Sequence, residues 1–594
     1  MRSLAPRVSV TQTSNGWFNL EVEFAESDQS VDLAQIRPLL VSGRRYVKLS
    51  DGSVGELPRE FGEQVRKLLD ESGAEPEGSR LALAPFEAGE VERLVDLVPE
   101  ARVAPETRRF LAALRDFRGI EEVELPRGLQ AELRPYQRRG FDWLVFLHRA
   151  GLSGVLADDM GLGKTLQTLA LLLWARQGEG PAPSLVVAPT SVLPTWKREA
   201  ERFVPGLKVA IYEGAGRDKQ RFADADLVLT SYALLRRDAE LLRKTKFRYL
   251  ILDEAQHVKN PASLGARAAR SLQSERRLAL TGTPMENRLS DLWSLFHFLM
   301  PHFLGTETQF RTRYARPIEV DGNSGARDRL KRRVRPFILR RLKDEVARDL
   351  PPRTDAVLPV ELTAGQQALY REMLLTARDR VTSIIDKLGF RKARISILAE
   401  LLRLRQICND PRLLKLPPGT RLPPSAKLEA FAELVRDLIG EGHRALVFSQ
   451  FTEQLGYLVQ WAEEEGVPYE YLDGSTKDRQ ERIDRFNAKD GPPLFFISLK
   501  AGGTGLNLTG ADYVIHFDPW WNPAVEQQAI DRVHRIGQTK PVFSYKLITT
   551  GTVEQKIVAM QERKRCLAEG VLSSDDEMGK VLTEKEIAEL FADL

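Results

Sequence analysis

Short apolar and β-branched runs separated by amphipathic stretches dominate the chain from Leu133 onward. Five of them lie at residues 154–157, 185–188, 227–230, 249–252 and 278–281, and a second set at 445–449, 494–498, 513–517 and 544–548. Runs that are apolar on both faces and alternate with helical stretches predict parallel α/β sheets, here in two lobes. A helical, basic stretch at 365–406 and the prolines Pro417, Pro418, Pro423 and Pro424 separate the two sets. Upstream the pattern differs. Phe18, Leu20, Val22 and Phe24 alternate as a half-buried strand, residues 46–57 carry an Asp51-Gly52 hairpin signal, and Phe61, Val65, Leu68 and Leu69 recur at helical spacing. The resulting division is a small N-terminal accessory domain at 1–125 and a first lobe at 126–355 with a helical protrusion after about 286. A helical protrusion and linker follow at 356–425, then a second lobe at 426–594 with a helical extension from about 552.

The 594 residues agree with several domains rather than one core. Hydrophobic residues make up 42%, and 87 Lys plus Arg stand against 83 Asp plus Glu, which excludes fibrous and disordered classes. No apolar run approaches the roughly 20 residues of a membrane helix, and no apolar signal core follows Met1, so a cytoplasmic protein is expected. The polar start, with no domain-opening pattern, reads as a fragment of a longer protein. Cys408 and Cys566 alone can build neither a disulfide framework nor a zinc finger. A net charge of +4 does not exclude nucleic acid, because attraction to phosphates depends on where charges lie. The densest basic run, 327–353, admits two readings: a solvated helix face over a core stripe, or a phosphate-tracking surface.

Three segments carry chemistry. Asp158-Asp159-Met160-Gly161-Leu162-Gly163-Lys164-Thr165 follows a strand and opens a helix, the setting of a phosphate loop. There Gly161 and Gly163 let backbone N–H groups approach phosphate, Lys164 reaches the β and γ phosphates, and Thr165 binds Mg²⁺. Asp158 stands where such loops usually have Gly. Asp253-Glu254 end an apolar strand; two carboxylates divide the work, Asp253 holding the Mg²⁺ shell and Glu254 orienting or deprotonating the attacking water. Gln528 to Gln538 carries Arg532 and Arg535 one helical turn apart on one face, spaced to meet charge on a transferred phosphoryl group.

These segments occur in order with further blocks. They include Gln137 in Leu133-Arg134-Pro135-Tyr136-Gln137, Asp253-Glu254-Ala255-Gln256, Thr281-Gly282-Thr283-Pro284 with Glu286-Asn287, and Ile338-Leu339-Arg340-Arg341. The second half adds Val447-Phe448-Ser449-Gln450-Phe451, Leu472-Asp473-Gly474-Ser475, Lys500-Ala501-Gly502-Gly503-Thr504-Gly505-Leu506-Asn507-Leu508, Trp521-Asn522-Pro523 and His534-Arg535-Ile536-Gly537-Gln538. From about Leu133 to Lys556 the chain resembles the SWI/SNF-like ATPases of helicase superfamily two, of bacterial type.

The resemblance implies two RecA-like parallel-sheet lobes with helical insertions. It implies a DNA-dependent ATPase that uses ATP and Mg²⁺ to translocate on double-stranded DNA, without separating strands, and so remodels or displaces bound proteins. It assigns adenine recognition to Gln137 and the ATPase centre to Lys164, Thr165, Asp253, Glu254, Arg532 and Arg535. Nucleotide contacts extend over Asp159, Met160, Gly161, Leu162, Gly163 and Gln528. Thr190, Ser231, Lys259, Asn260, Ser449, Gln450, Thr504 and Trp521 fall in blocks that face DNA or couple the lobes. The expected partner is duplex DNA held through its backbone without sequence preference, with an unidentified DNA-bound protein as cargo, a monomeric motor and a nucleoid location. Gln256 departs from the His of many members, and Asn409-Asp410-Pro411 lacks a His between Asn and Pro.

Overall fold

The structure is a computed structural model. It describes residues 2–12, 18–26, 29–72, 76–83, 87–116, 120–213, 222, 224–282, 289–347, 349–417, 420–502, 506–521, 523–569 and 590–591. Apart from a few loop residues, the chain divides into two compact units, one up to Leu342 and one from Lys343 onward.

In the first unit the alternating Phe18, Leu20, Val22 and Phe24 bury completely on strand Phe18–Glu26. That strand pairs antiparallel with Ala5–Gln12, Gln29–Asp32 and Arg80–Leu83. The hairpin forms from Tyr46–Lys48 and Val54–Glu56, and the helical spacing becomes Arg59–Ser72. This N-terminal part shares one compact unit with the first lobe. Val123 N donates to Asp142 Oδ1 at 3.0 Å, the Phe110 and Phe146 rings lie 5.7 Å apart, and buried Glu87 pairs with Arg333 at 3.2 Å.

The first lobe is a seven-stranded parallel sheet. Its strands are β1 (Gly154–Leu156), β2 (Ser184–Ala188), β3 (Val209–Tyr212), β4 (Leu227–Ser231), β5 (Phe247–Asp253), β6 (Ser274–Leu280) and β7 (Ile338–Leu339), in the order β3-β4-β2-β5-β6-β1-β7. Helices α1 (Pro135–Arg149), α2 (Lys164–Glu179) and α3 (Leu193–Phe203) accompany it, and α4 (Leu289–Leu299) and α5 (Ser324–Val334) lie in the insertion before β7.

The second unit is a six-stranded parallel sheet of β8 (Arg353–Val360), β9 (Ala445–Ser449), β10 (Tyr469–Leu472), β11 (Leu494–Ser498), β12 (Tyr513–His516) and β13 (Val542–Thr549), ordered β8-β13-β12-β9-β11-β10. Helices α6 (Ala364–Leu388) and α7 (Phe390–Asn409) turn at Gly389, where φ is 73°, and α8 (Ala426–Gly440) follows. After α9 (Pro523–Ile530), helix α10 (Val553–Glu569) packs Ile557 and Met560 into the core of α6 and α7 with Tyr370, Leu401 and Leu404.

Two expectations change. The boundary at 355 falls inside β8, so the second sheet begins at Arg353. The second change is at Arg532 and Arg535, which do not share a regular helix face: α9 stops at Ile530, and residues 531–537 form turns in which Val533 N bonds Ile530 O and Arg535 N bonds Val533 O.

Candidate functional site

In a parallel sheet every strand ends at the same edge, and loops leaving the carboxyl ends share one crevice. The phosphate loop leaves β1 there. Gly161 and Gly163 have φ of 84° and 78°, which L side chains rarely adopt, and Gly163 caps α2 so that Lys164 and Thr165 open its first turn. Lys164 Nζ donates to the carbonyl oxygens of Asp158 (2.6 Å) and Asp159 (3.3 Å), which holds the ammonium over its own loop. A Cβ on Gly163 would lie 2.5 Å from Gln137 Nε2. Gln137, buried on α1, therefore packs its amide against the end of the loop, while its Oε1 accepts from Arg134 N at 3.0 Å.

Asp253 and Glu254 leave β5 at the same edge. Burial and the charge of Glu254 push the Asp253 carboxyl up to about 6, against a 2.8 Å hydrogen bond from Trp196 Nε1 and the attraction of Lys164. Glu254 takes φ 51°, uncommon outside glycine, and its N–H donates to Asp253 Oδ1 at 2.9 Å. Gln256 resolves its own departure from the family pattern. Its Nε2 donates to Glu254 Oε2 at 2.8 Å, and its Oε1 accepts from Thr281 Oγ1 at 3.2 Å. A neutral amide thus ties the candidate water-orienting carboxylate to the Thr-Gly block. Trp196, fully buried on α3, was not among the sequence candidates; nothing in its local sequence marks it as the partner of a carboxylate 57 positions away.

Thr165 and Asp253 are hard oxygen donors, and Mg²⁺ commonly takes only one or two protein oxygens beside water and phosphate. A buried carboxylate held up to about 6 is one that a cation would stabilise in its charged form. The two residues therefore fit Mg²⁺. Among the described residues no group of three or more His, Cys, Asp or Glu side chains forms a protein-only metal site.

The candidate DNA-facing residues of this unit lie at or just beyond the carboxyl ends of β2, β4 and β5. Thr190 and Asn260 are exposed and Lys259 half-buried. Ser231 is different: it is buried, and its Oγ accepts from Leu234 N at 3.3 Å as a helix cap. The basic run divides too. Arg333 is held by Glu87 and Glu90 at 3.2 and 3.6 Å beneath the Phe303 ring, whereas Lys331, Arg332, Arg335 and Arg340 are exposed. The run therefore divides into one arginine held by buried carboxylates and four residues on a solvated face.

In the second unit Ser449 is fully buried, with its Oγ bonded to Asp518, and Phe451 N donates to that oxygen. Gln450 Oε1 accepts from Arg405 Nη1 at 3.1 Å. Arg405, buried on α7, reaches the carbonyl of Pro519, lies 3.6 Å from Asp518 and stacks 5.4 Å from the Trp521 ring. Burial pushes the Asp518 carboxyl up to about 6 despite Arg405. Trp521 is half-buried against the α6–α7 core, while Trp520 packs on the opposite core of Phe448 and Val533. Arg532 is buried, Arg535 half-buried and Gln528 half-buried on α9. The turn they occupy is fixed by neighbours: Lys343 Nζ bonds Asp531 and His534 O at 2.6 Å each, and Gln538 Nε2 donates to Ala511 O at 2.8 Å. Thr504, Thr283, Pro284, Glu286 and Asn287 lie outside the described residues.

The SNF2-related domain matches residues 136–413, and the helicase conserved C-terminal domain matches 426–537. A Sulfolobus solfataricus SWI2/SNF2 ATPase core, solved in complex with dsDNA, is 36% identical over 79% of this chain and 99% of its own, with a TM-score of 0.40. The chain belongs to the SNF2 family of ATPases. YwqA of Bacillus subtilis, which bears the name of an ATP-dependent helicase/translocase, is 37% identical over 99% of this chain and 66% of its own length. The TATA-binding protein-associated factor MOT1 of Saccharomyces cerevisiae is 34% identical over 89% of this chain and 32% of its own. The chain spans about a third to two thirds of the length of these curated relatives. It carries the ATPase domains of helicase superfamily two, and among the described residues no helix is long and apolar enough to cross a membrane.

Proposed function

We propose that this SNF2 ATPase is a double-stranded DNA translocase that turns over ATP with Mg²⁺ and displaces or remodels DNA-bound protein without separating strands. The observation that carries the reading is the Glu254–Gln256–Thr281 bridge, which links the candidate hydrolytic carboxylate directly to the Thr-Gly block of the same lobe. Lys164 and the loop N–H groups hold the phosphates, Gln137 the adenine, and Glu254 orients the water. Thr165 and Asp253 would hold Mg²⁺, which supplies charge neutralisation at the phosphates. Arg532 and Arg535 meet the charge of the transferred group. Thr190, Lys259, Asn260, Gln450 and Thr504 track the duplex backbone, with Ser231 and Ser449 shaping those loops from beneath.

Trp521 couples the two tasks. Its ring lies between Arg405, which holds Gln450, and the α6–α7 core, so a shift of the segment before α9 moves a DNA-side residue with it. Triplex displacement tests the reading: Trp521→Ala is expected to keep ATP binding and to lose most displacement of a triplex-forming strand. Displacement per ATP at the wild-type level, with melting several degrees lower, would make the tryptophan purely structural.

A further inference from the structure

We infer that Arg341 is a positioning residue for the nucleotide, setting the phosphate loop and the adenine-side helix as one piece. Asp158, at the loop position where glycine is usual, is completely buried. A buried carboxylate needs a partner, and Arg341 supplies it with a two-pronged grip: Nε donates to Oδ1 at 2.8 Å and Nη2 bonds Oδ2. The same guanidinium donates from Nη1 to Tyr136 O, lies 5.2 Å from the Tyr136 ring, and donates from Nη2 to Gln167 Oε1 at 2.7 Å.

These partners surround the loop. Asp158 begins it and Gly163 ends it. Gln167 Nε2 donates at 3.3 Å both to Asp158 Oδ2 and to Gly163 O, so one buried amide spans the loop's two ends. Tyr136, gripped by Arg341, immediately precedes Gln137, whose amide packs against Gly163. The backbone repeats the connection: Ala157 N donates to Leu339 O at 2.7 Å and Asp159 N to Arg341 O at 3.0 Å. Gly140 completes the fit, because a Cβ there would lie 2.0 Å from Gln167 Oε1 and 2.7 Å from Arg341 Nη2. All five guanidinium contacts thus fall on three residues, Asp158, Tyr136 and Gln167, that hold the loop or adjoin Gln137, and a lysine, with one point charge, could satisfy only part of them. Loosening this clamp releases the base-reading helix and the loop together.

The inference rests on the proposed nucleotide roles of Gln137 and the loop, and the test separates the two. The full chain and its Arg341→Gln, Arg341→Lys, Asp158→Asn, Gln137→Ala and Lys164→Ala variants are titrated with ADP and with GDP by calorimetry, and their melting temperatures recorded. For Arg341→Gln, ADP affinity is expected to fall at least tenfold well below its melting temperature, with the ADP:GDP preference shrinking toward that of Gln137→Ala. Arg341→Lys should recover part of both. ADP affinity within twofold of wild type in a folded Arg341→Gln variant overturns the inference, and so does a tenfold loss with full base preference. If Arg341→Gln fails to fold, the nearly isosteric Asp158→Asn carries the same expectations and the same refutation. Unchanged ADP binding by Lys164→Ala, or unchanged preference in Gln137→Ala, would instead refute the nucleotide reading on which the inference stands.

Discussion

At the scale of single residues, the proposed chemistry rests on Lys164, Asp253 and Glu254. Lys164, Asp253 and Glu254 were legible because strand, turn and carboxylate or glycine spacing carry their own physical warrant. Trp196, Arg405 and Arg341 were not, because their partners lie 57, 45 to 114 and up to 205 positions away and only the fold brings them together. Lys164→Ala is expected to lose tight nucleotide binding, since it removes the loop's only ammonium. Glu254→Gln should bind nucleotide and fail to hydrolyse it, because the amide keeps the bond to Gln256 but cannot orient or deprotonate water. Equilibrium binding beside single-turnover hydrolysis separates the two; normal turnover by Glu254→Gln would reassign the base. Ser449 shows the opposite case. Its buried hydroxyl serves Asp518, so Ser449→Ala should cost about 1–3 kcal/mol in chemical denaturation and leave the salt dependence of DNA binding intact. A shallower salt slope at unchanged stability would give the serine a direct phosphate contact.

At the scale of elements, every core strand that the apolar runs predicted in the two lobes is present, and the four missed in the two lobe sheets share one property. β3, β7, β8 and β10 are the edge strands of their sheets. An edge strand is covered incompletely, so Arg353–Val360 and Tyr469–Leu472 mix polar with apolar positions and β8 even accommodates Pro359, while the apolar but short Val209–Tyr212 buries only Tyr212. The helix expected to carry Arg532 and Arg535 ends early because buried Asp531 is drawn to Lys343 rather than left on a solvated helix face. Strand β12 holds a pH-sensitive feature. His516 is fully buried beside Phe448, neither ring nitrogen has a hydrogen-bond partner among the described residues, and burial, with Lys546 and Arg353 nearby, pulls its pKa down to about 3. The unfolded chain therefore binds this proton first. Stability is complete above about pH 6.5 and is lost toward pH 3, with a slope of up to ~1.4 kcal/mol per pH unit from this one group. Denaturant unfolding at pH 7.5 and 5.5 should show a smaller acid loss in His516→Phe than in the wild type; equal losses would mean that His516 stays protonated in the fold.

For the whole molecule, the near-balance of 87 basic and 83 acidic residues hides an uneven use of charge. Arg333, Arg341, Lys343, Arg405 and Lys427 are spent on buried carboxylates, while Lys331, Arg332, Arg335 and Arg340 remain in solvent. Net charge therefore says little here about affinity for DNA. The proposed contacts to the duplex backbone would carry no base information, so DNA affinity should be nearly independent of sequence, and log K should fall by roughly 0.9 per log salt for each phosphate neutralised. The proposed function stands on one coupling, that duplex DNA switches on ATP hydrolysis. Steady-state ATPase rates of the full chain, measured at low salt with no nucleic acid, single-stranded DNA, RNA and duplex DNA of matched length, test it most directly. Duplex DNA alone is expected to raise the rate strongly. Equal or greater stimulation by single-stranded DNA or RNA, or none by the duplex, would contradict it.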